Sequence, residues 1–189
     1  MDSRESPLGD ELLPELVLPV EGRDHCLGSP GAKYSLVEYG DFASPHCAHL
    51  HPIVQELVRE LGDELCFVFR DFPLPNEYPN AVRAAEAAEA AAQQGKFWLM
   101  HDRLFAHQSE LSDAFIRQLA RDLPLEMTTY DRDLASGAPA RRIGEDKESG
   151  EEAGVEETPT LFVNGRMHVG SYEFLPLLNA LQTAPAPGK

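Results

Sequence analysis

Ser44-Pro45-His46-Cys47 is the stretch of this 189-residue chain whose residue types and spacing best suit chemistry. A hydroxyl and a thiol stand three residues apart, with an imidazole next to the thiol. The apolar run Tyr34–Tyr39 leads into the stretch and reads as a buried strand. Behind it Leu50, Ile53, Val54, Leu57, Val58 and Leu61 recur at three- and four-residue steps, which predicts an amphipathic helix. Ser44 therefore falls where a strand hands over to a helix N-terminus. Free N–H groups and the positive end of the helix dipole gather there and favour an anion, so a reactive thiolate is well placed at such a point.

Each residue of the stretch also has a plainer reading. Serine is a preferred N-cap, and a free cysteine is often a small buried core residue. His46, Cys47, His49 and His51 crowd one helix; Cys47 and His51 stand at i,i+4 and His46 and His49 at i,i+3. A metal site is conceivable at that spacing, but histidines on a solvated helix face account for it more simply, and no metal is expected. Cys26 and Cys66 look incidental. Three cysteines, widely spaced, argue against a structural disulfide framework.

Elements that position the stretch can be read along the chain. Residues 1–24 are acidic and broken by Pro14 and Pro19, so they read as an extension, part of it lying on the domain as an edge strand. Arg23–Gly28 reads as a turn. Strand 34–40, helix 44–62 and a second apolar run at 64–72 make a βαβ unit. Residues 80–153 read as almost entirely helical, with Ser112 or Asp113 capping one helix and weaker patterns at 127–136 and 139–150. The charged run 145–152 reads as a solvated helix face. Two strand runs then flank Asn164-Gly165, the strongest short hairpin signal, and a helix over 175–182 follows. Residues 184–189 read as a disordered tail.

Net charge is −16 and the isoelectric point about 4.7. An acidic chain with no basic run excludes a nucleic-acid partner, and no apolar stretch reaches membrane-spanning length. The N-terminus lacks the basic start and apolar block of a signal peptide, so the expected location is cytoplasmic.

Asp-Phe-x-x-Pro-His-Cys after a strand (41–47), Phe-Arg-Asp-Phe-Pro-Leu (69–74), Ala-Glu-Ala-Ala (85–88) and Thr-Pro-Thr-Leu-Phe-Val-Asn-Gly (158–165) together resemble the DsbA-like branch of the thioredoxin superfamily. The likeness covers residues 24–183 and is closest to small cytoplasmic DsbA-like domains, some of which are attached to sodium/proton antiporters. It implies an α/β thioredoxin fold (βαβ…ββα) at 25–183, with a helical insertion over about 80–153. It also implies that Ser44 stands where the family carries its nucleophilic cysteine, that Cys47 is the resolving cysteine, and that His46 fills the variable slot next to it. Thr158-Pro159 would be the cis-proline loop, which with Pro45 faces the substrate. Glu156-Glu157 precedes it, where relatives often carry glycine, and would disfavour a nearby thiolate.

A serine has no redox couple, so the ordinary dithiol cycle is closed at this site. The expected function is a thiol–disulfide oxidoreductase-family protein with a degenerate site, redox-impaired or monothiol through Cys47, acting on a thiol or disulfide protein or peptide. Two alternatives remain open. One is a non-redox module that holds a peptide or thiol by the Thr158-Pro159 edge. The other is a glutathione-dependent transferase or isomerase similar to the kappa class, with the Ser44 hydroxyl donating to the glutathione thiolate.

Overall fold

A computed structural model describes residues 13–185. Parts of the predicted N-terminal extension (1–12) and of the predicted tail (186–189) lie outside the described residues.

Strands β2 (Tyr34–Gly40) and β3 (Leu65–Asp71) are buried along their whole length, as their near-continuous apolar sequences require of strands covered on both faces. Helix α1 (Pro45–Leu61) connects them, so they run parallel, Leu36 opposite Phe67 and Glu38 opposite Phe69. β1 (His25–Gly28) pairs antiparallel with the outer side of β3. β4 (Thr160–Val163) pairs antiparallel with β2, and β5 (Arg166–Met167) with β4, giving the order β1-β3-β2-β4-β5. Between β3 and β4 come α2 (Ala81–Ala92), α3 (Phe97–Ala106), α4 (Asp113–Arg121), α5 (Met127–Ala135) and α6 (Ala138–Glu152); α7 (Phe174–Thr183) closes the fold. Ser112 is the cap of α4, accepting from Phe115 N.

Alternation along the strands builds two cores. Leu36, Phe67, Phe69, Leu161 and Val163 face α1, α7 and most of the helical block. Val37, Tyr39, Cys66, Val68 and Phe162 face the other way, covered by Ala153 and Val155 just after α6 and by Leu16 and Val20. The 14–16 segment lies along the free edge of β5: Leu16 N donates to Gly165 O at 2.9 Å and Met167 N to Pro14 O at 2.8 Å. Asn164 and Gly165 both take positive φ, as a two-residue hairpin turn demands. The Asn164 side chain accepts from Ser35 N at 2.9 Å and donates to Leu181 O and Ala184 O.

Three sequence expectations need correction. Arg23–Gly28 is not simply a turn; its second half is strand β1, because the outer edge of β3 supplies a pairing partner that short-range pattern cannot reveal. Cys26 and Cys66 are not incidental: they are joined in a disulfide between β1 and β3, with Cα atoms 6.0 Å apart. The charged run in α6 is not wholly solvated. Asp146, Ser149 and Gly150 are buried, turned inward by an ionic network centred on Arg70.

The Arg70 side chain has no exposed surface. Its guanidinium donates to both Asp24 oxygens (2.9 and 3.0 Å), to Tyr39 Oη (2.9 Å) and to the carbonyls of Leu18 and Pro19 (3.0 and 3.2 Å). Tyr39 accepts from Arg70, so its own proton goes to Ser149 Oγ (2.9 Å), which donates to Asp146 O (2.8 Å). Arg142 reaches Asp146 at 3.1 Å and Asp24 at 3.6 Å. Burial favours the neutral form of Asp24, but the hydrogen bonds and charge of Arg70 outweigh it and hold that carboxyl below its ordinary range.

The two glycines of α6 make a matched test of this packing. A Cβ on Gly150 would sit 2.9 Å from ring atoms of Phe72 and Tyr39, while one on Gly144 meets nothing within 4 Å. Gly150→Ala should cost about 1–3 kcal/mol by overpacking. Gly144→Ala should stabilise by about 1 kcal/mol through helix propensity. Urea unfolding midpoints moving in the same direction would contradict the placement of α6.

Candidate active site

Asp41 shapes the turn between β2 and α1. Its carboxylate accepts from Ala43 N and Leu74 N, both at 2.8 Å, and its carbonyl accepts from Ser44 N at 3.1 Å. Burial nonetheless raises its pKa, the two amide bonds opposing. Gln108, just after α3, clamps the turn from outside by donating to Phe42 O and Ser44 O at 2.8 Å.

Ser44 occupies the N-cap position of α1 by backbone, but its hydroxyl does not cap the helix. It donates instead across the fold to Thr158 O at 3.2 Å. The Thr158–Pro159 peptide bond is cis, and Tyr172 Oη donates to Pro159 O at 3.3 Å. Ser44, Thr158 and Pro159 are all buried.

Cys47 lies beneath this contact with no exposed surface, and Asp41 N donates to its sulfur at 3.4 Å. Its thiol is pushed well above the ordinary range, first by burial and then by the neighbouring Glu38 carboxyl. The Asp41 amide and the Ser44 and Thr158 hydroxyls pull the other way without cancelling it. At neutral pH Cys47 is a closed, protonated thiol.

Glu38 is the site residue that reading the sequence missed. It points from mid-β2 to the α1 side of the sheet and is buried; its Oε1 has no hydrogen-bond partner among the described residues. Burial raises its pKa to about 8, and only the contact with the Cys47 thiol opposes the rise. The one available signal was a glutamate inside an otherwise apolar strand run. It is this carboxyl that acts on Cys47; Glu156 and Glu157, singled out from sequence, are exposed.

Sequence-predicted residues thus fall into two groups. Ser44, Cys47, Thr158 and Pro159 come together around one buried contact. Pro45 and His46 are exposed on the outer side of the turn, and His46 makes no hydrogen bond or ion pair among the described residues. The histidine cluster does not converge. His49 reaches Glu173 at 3.8 Å on the surface, while His51 turns to Gln55 (3.0 Å) and Asp102 (3.7 Å).

Comparison with known proteins agrees with this fold. The family model described as Thioredoxin matches residues 21–182. The chain belongs to the thioredoxin family. A thioredoxin-like oxidoreductase from Silicibacter pomeroyi has the same fold, with a TM-score of 0.76 and 26% identity, over 86% of this chain and 92% of that one. Alpha-DsbA1 from Wolbachia pipientis (TM-score 0.75, 19% identity, 88% and 92% covered) and BdbD from Bacillus subtilis (0.72, 19%, 84% and 93%) share the fold, so this thioredoxin-family chain has a DsbA-like architecture. Among curated sequences it is 43% identical over 171 residues to the Na(+)/H(+) antiporter NhaA 1 of Salinispora arenicola, covering 90% of this chain. It is 42% identical over 176 residues to NhaA 3 of Salinispora tropica. The chain spans about a quarter of the length of these relatives, 26% and 27%. Among the described residues no helix is long and apolar enough to cross a membrane.

Proposed function

We propose that this protein belongs to the thiol–disulfide oxidoreductases by descent, that its Ser44–Cys47 turn does not run a dithiol cycle, and that the turn serves instead to hold an extended peptide at the Pro159 loop. The observation that carries the reading is the state of the two side chains. The Ser44 hydroxyl has no exposed surface and donates to Thr158 O. The Cys47 thiol is equally buried and disfavoured as an anion. Neither is available to a ligand thiolate. This weighs against a glutathione transferase or isomerase using Ser44, and against a monothiol cycle at Cys47. The exposed Pro45-His46 rim, next to the buried Ser44–Thr158 contact, leaves a surface on which an extended peptide can lie.

Because Ser44 and Cys47 share one turn, Ser44→Cys should place a second sulfur within bonding reach of the first. The test uses a Cys26→Ser/Cys66→Ser background, so that every sulfur read belongs to this turn. In that background the parent should leave insulin disulfides unreduced under dithiothreitol-regenerating conditions. The Ser44→Cys variant should form the 44–47 disulfide, seen by intact mass after alkylation, and should reduce insulin. A parent that matches the variant would overturn the reading. A variant that keeps both thiols free in oxidised glutathione would remove the assignment of the pair.

A further inference from the structure

Cys26 and Cys66 lie far from this turn, and the redox question returns there. A two-electron dithiol–disulfide couple needs two sulfurs within bonding reach. Of the three cysteines in the chain only Cys26 and Cys66 meet that need. They face each other diagonally across β1 and β3, where Cys26 pairs with Val68 and Gly28 with Cys66. Their Cα separation of 6.0 Å is within the range that a disulfide spans. They pack in the core on one face of the sheet, while Cys47 packs in the core on the other. The sheet itself keeps the two sulfur sites apart.

The two sulfurs differ in access, as an exchanging pair requires. Cys26 is half-buried on the short edge strand β1. Cys66 is buried but forms part of the wall of a cavity of about 730 Å³, with Pro19, Ala32, Lys33, Ser35 and Arg166. That is the size of pocket that takes a small ligand. Lys33 and Arg166 are cations in a chain of net charge −16. Each has an exposed carboxylate neighbour, Glu64 at 3.6 Å and Glu15 at 3.3 Å. Such surface pairs hold weakly and can yield to a ligand carboxylate.

We infer that Cys26–Cys66 is a second thiol–disulfide exchange site, independent of the Ser44–Cys47 turn, whose partner is a small anionic thiol lodged in this cavity. The partner's thiolate attacks Cys66 Sγ, the sulfur in the cavity wall. The Cys26–Cys66 bond breaks, its electron pair leaves on Cys26 Sγ, and that sulfur takes a proton from water. A mixed disulfide now stands on Cys66. A second small thiolate attacks the small-molecule sulfur of that bond, freeing Cys66 as a thiol and releasing the small-molecule disulfide. In sum two small thiols are oxidised to one disulfide while one protein disulfide becomes two thiols. The small disulfide drives the reverse.

The test equilibrates the full chain in reduced and oxidised glutathione at graded ratios, quenches with acid, alkylates the free thiols and reads intact mass. Two thiols should appear together as the buffer becomes more reducing, in one transition, and peptide mapping should place them at 26 and 66. Cys47→Ser should leave that transition unmoved. Cys26→Ser, which removes the leaving sulfur, should accumulate glutathione on Cys66. Three free cysteines at the most oxidising ratio, a pair that stays closed at the most reducing one, or adducts confined to Cys47 would each overturn the proposal. Mapping on the unmodified chain decides between these outcomes even where a variant fails to fold. The Ser44→Cys experiment lacks both of these cysteines, so either result can fail without the other.

Discussion

Glu38→Gln should flatten part of the pH dependence of stability and make the protein more stable in alkaline solution. In the fold Glu38 keeps its proton up to about pH 8, against an ordinary value of 4.5. Burial penalises the charged form, and the only opposing contact is a thiol. The folded state therefore binds one more proton than the unfolded state between those two values. Stability from this group is complete below pH 4.5 and is lost as pH rises through about 8. The slope is about 1.4 kcal/mol per pH unit at full difference, so over the span from 4.5 to about 8 the accumulated effect reaches about 5 kcal/mol. Asp146, raised to about 6 chiefly by burial, and Asp71, raised well above its ordinary range by burial and by Glu89 and Asp146, add slope of the same sign. The decisive measurement is the difference between wild type and Glu38→Gln in urea unfolding from acid to alkaline pH. Parallel curves would show that Glu38 is not buried beside Cys47.

Arg70→Met should be the most damaging single change in the sheet, at about 3–5 kcal/mol, the usual cost of stripping one partner from a buried ion pair. The loss goes beyond Asp24. Tyr39 Oη and the Leu18 and Pro19 carbonyls also give up their donor, and each unpaired buried group carries a desolvation penalty. Arg70→Lys should fall between, since an ammonium keeps the charge but not the planar fork that meets Asp24 twice. Combining Arg70→Met with Asp24→Asn should recover part of the loss, because the neutral amide no longer leaves a buried charge unpaired. With natural domains stable by only about 5–15 kcal/mol, the single variant should shift the urea midpoint severely. A midpoint near that of wild type would mean that the network does not hold the extension to the sheet.

Both of these residues show what sequence could and could not convey. The βαβ unit, the Asn-Gly hairpin and the turn at 41–47 were legible because each rests on local rules of apolar period, cap and turn residue. Ser44 and Cys47 were legible as a pair for the same reason. Their closure was not, because the groups that enforce it come from elsewhere: Thr158 is 114 residues from Ser44 in sequence and Gln108 is 64. Glu38 was hidden in plain view, since a single acid within an apolar strand carries no periodic signature. Asp146 read as surface because its neighbours are charged, while Arg142, Arg23 and the buried end of β3, distant in sequence or on its own helix's inner face, turn it inward. Cys26 and Cys66 are 40 residues apart, and sequence alone cannot assign connectivity.

The Asn164 carboxamide gives the protein a chemical clock. Asparagine followed by glycine is the dipeptide most prone to slow loss of its side-chain amide. Here that amide nitrogen faces the carbonyls of Leu181 and Ala184, while its oxygen holds Ser35 N. Conversion to a carboxylate would replace a donor with a negative oxygen opposite two carbonyl dipoles. The last turn of α7 would then come loose from the hairpin, although every hydrophobic contact of that helix is intact. Aged samples should therefore resolve into a more acidic species whose C-terminal residues exchange their amide hydrogens faster; an acidic species with unchanged exchange would count against this tether.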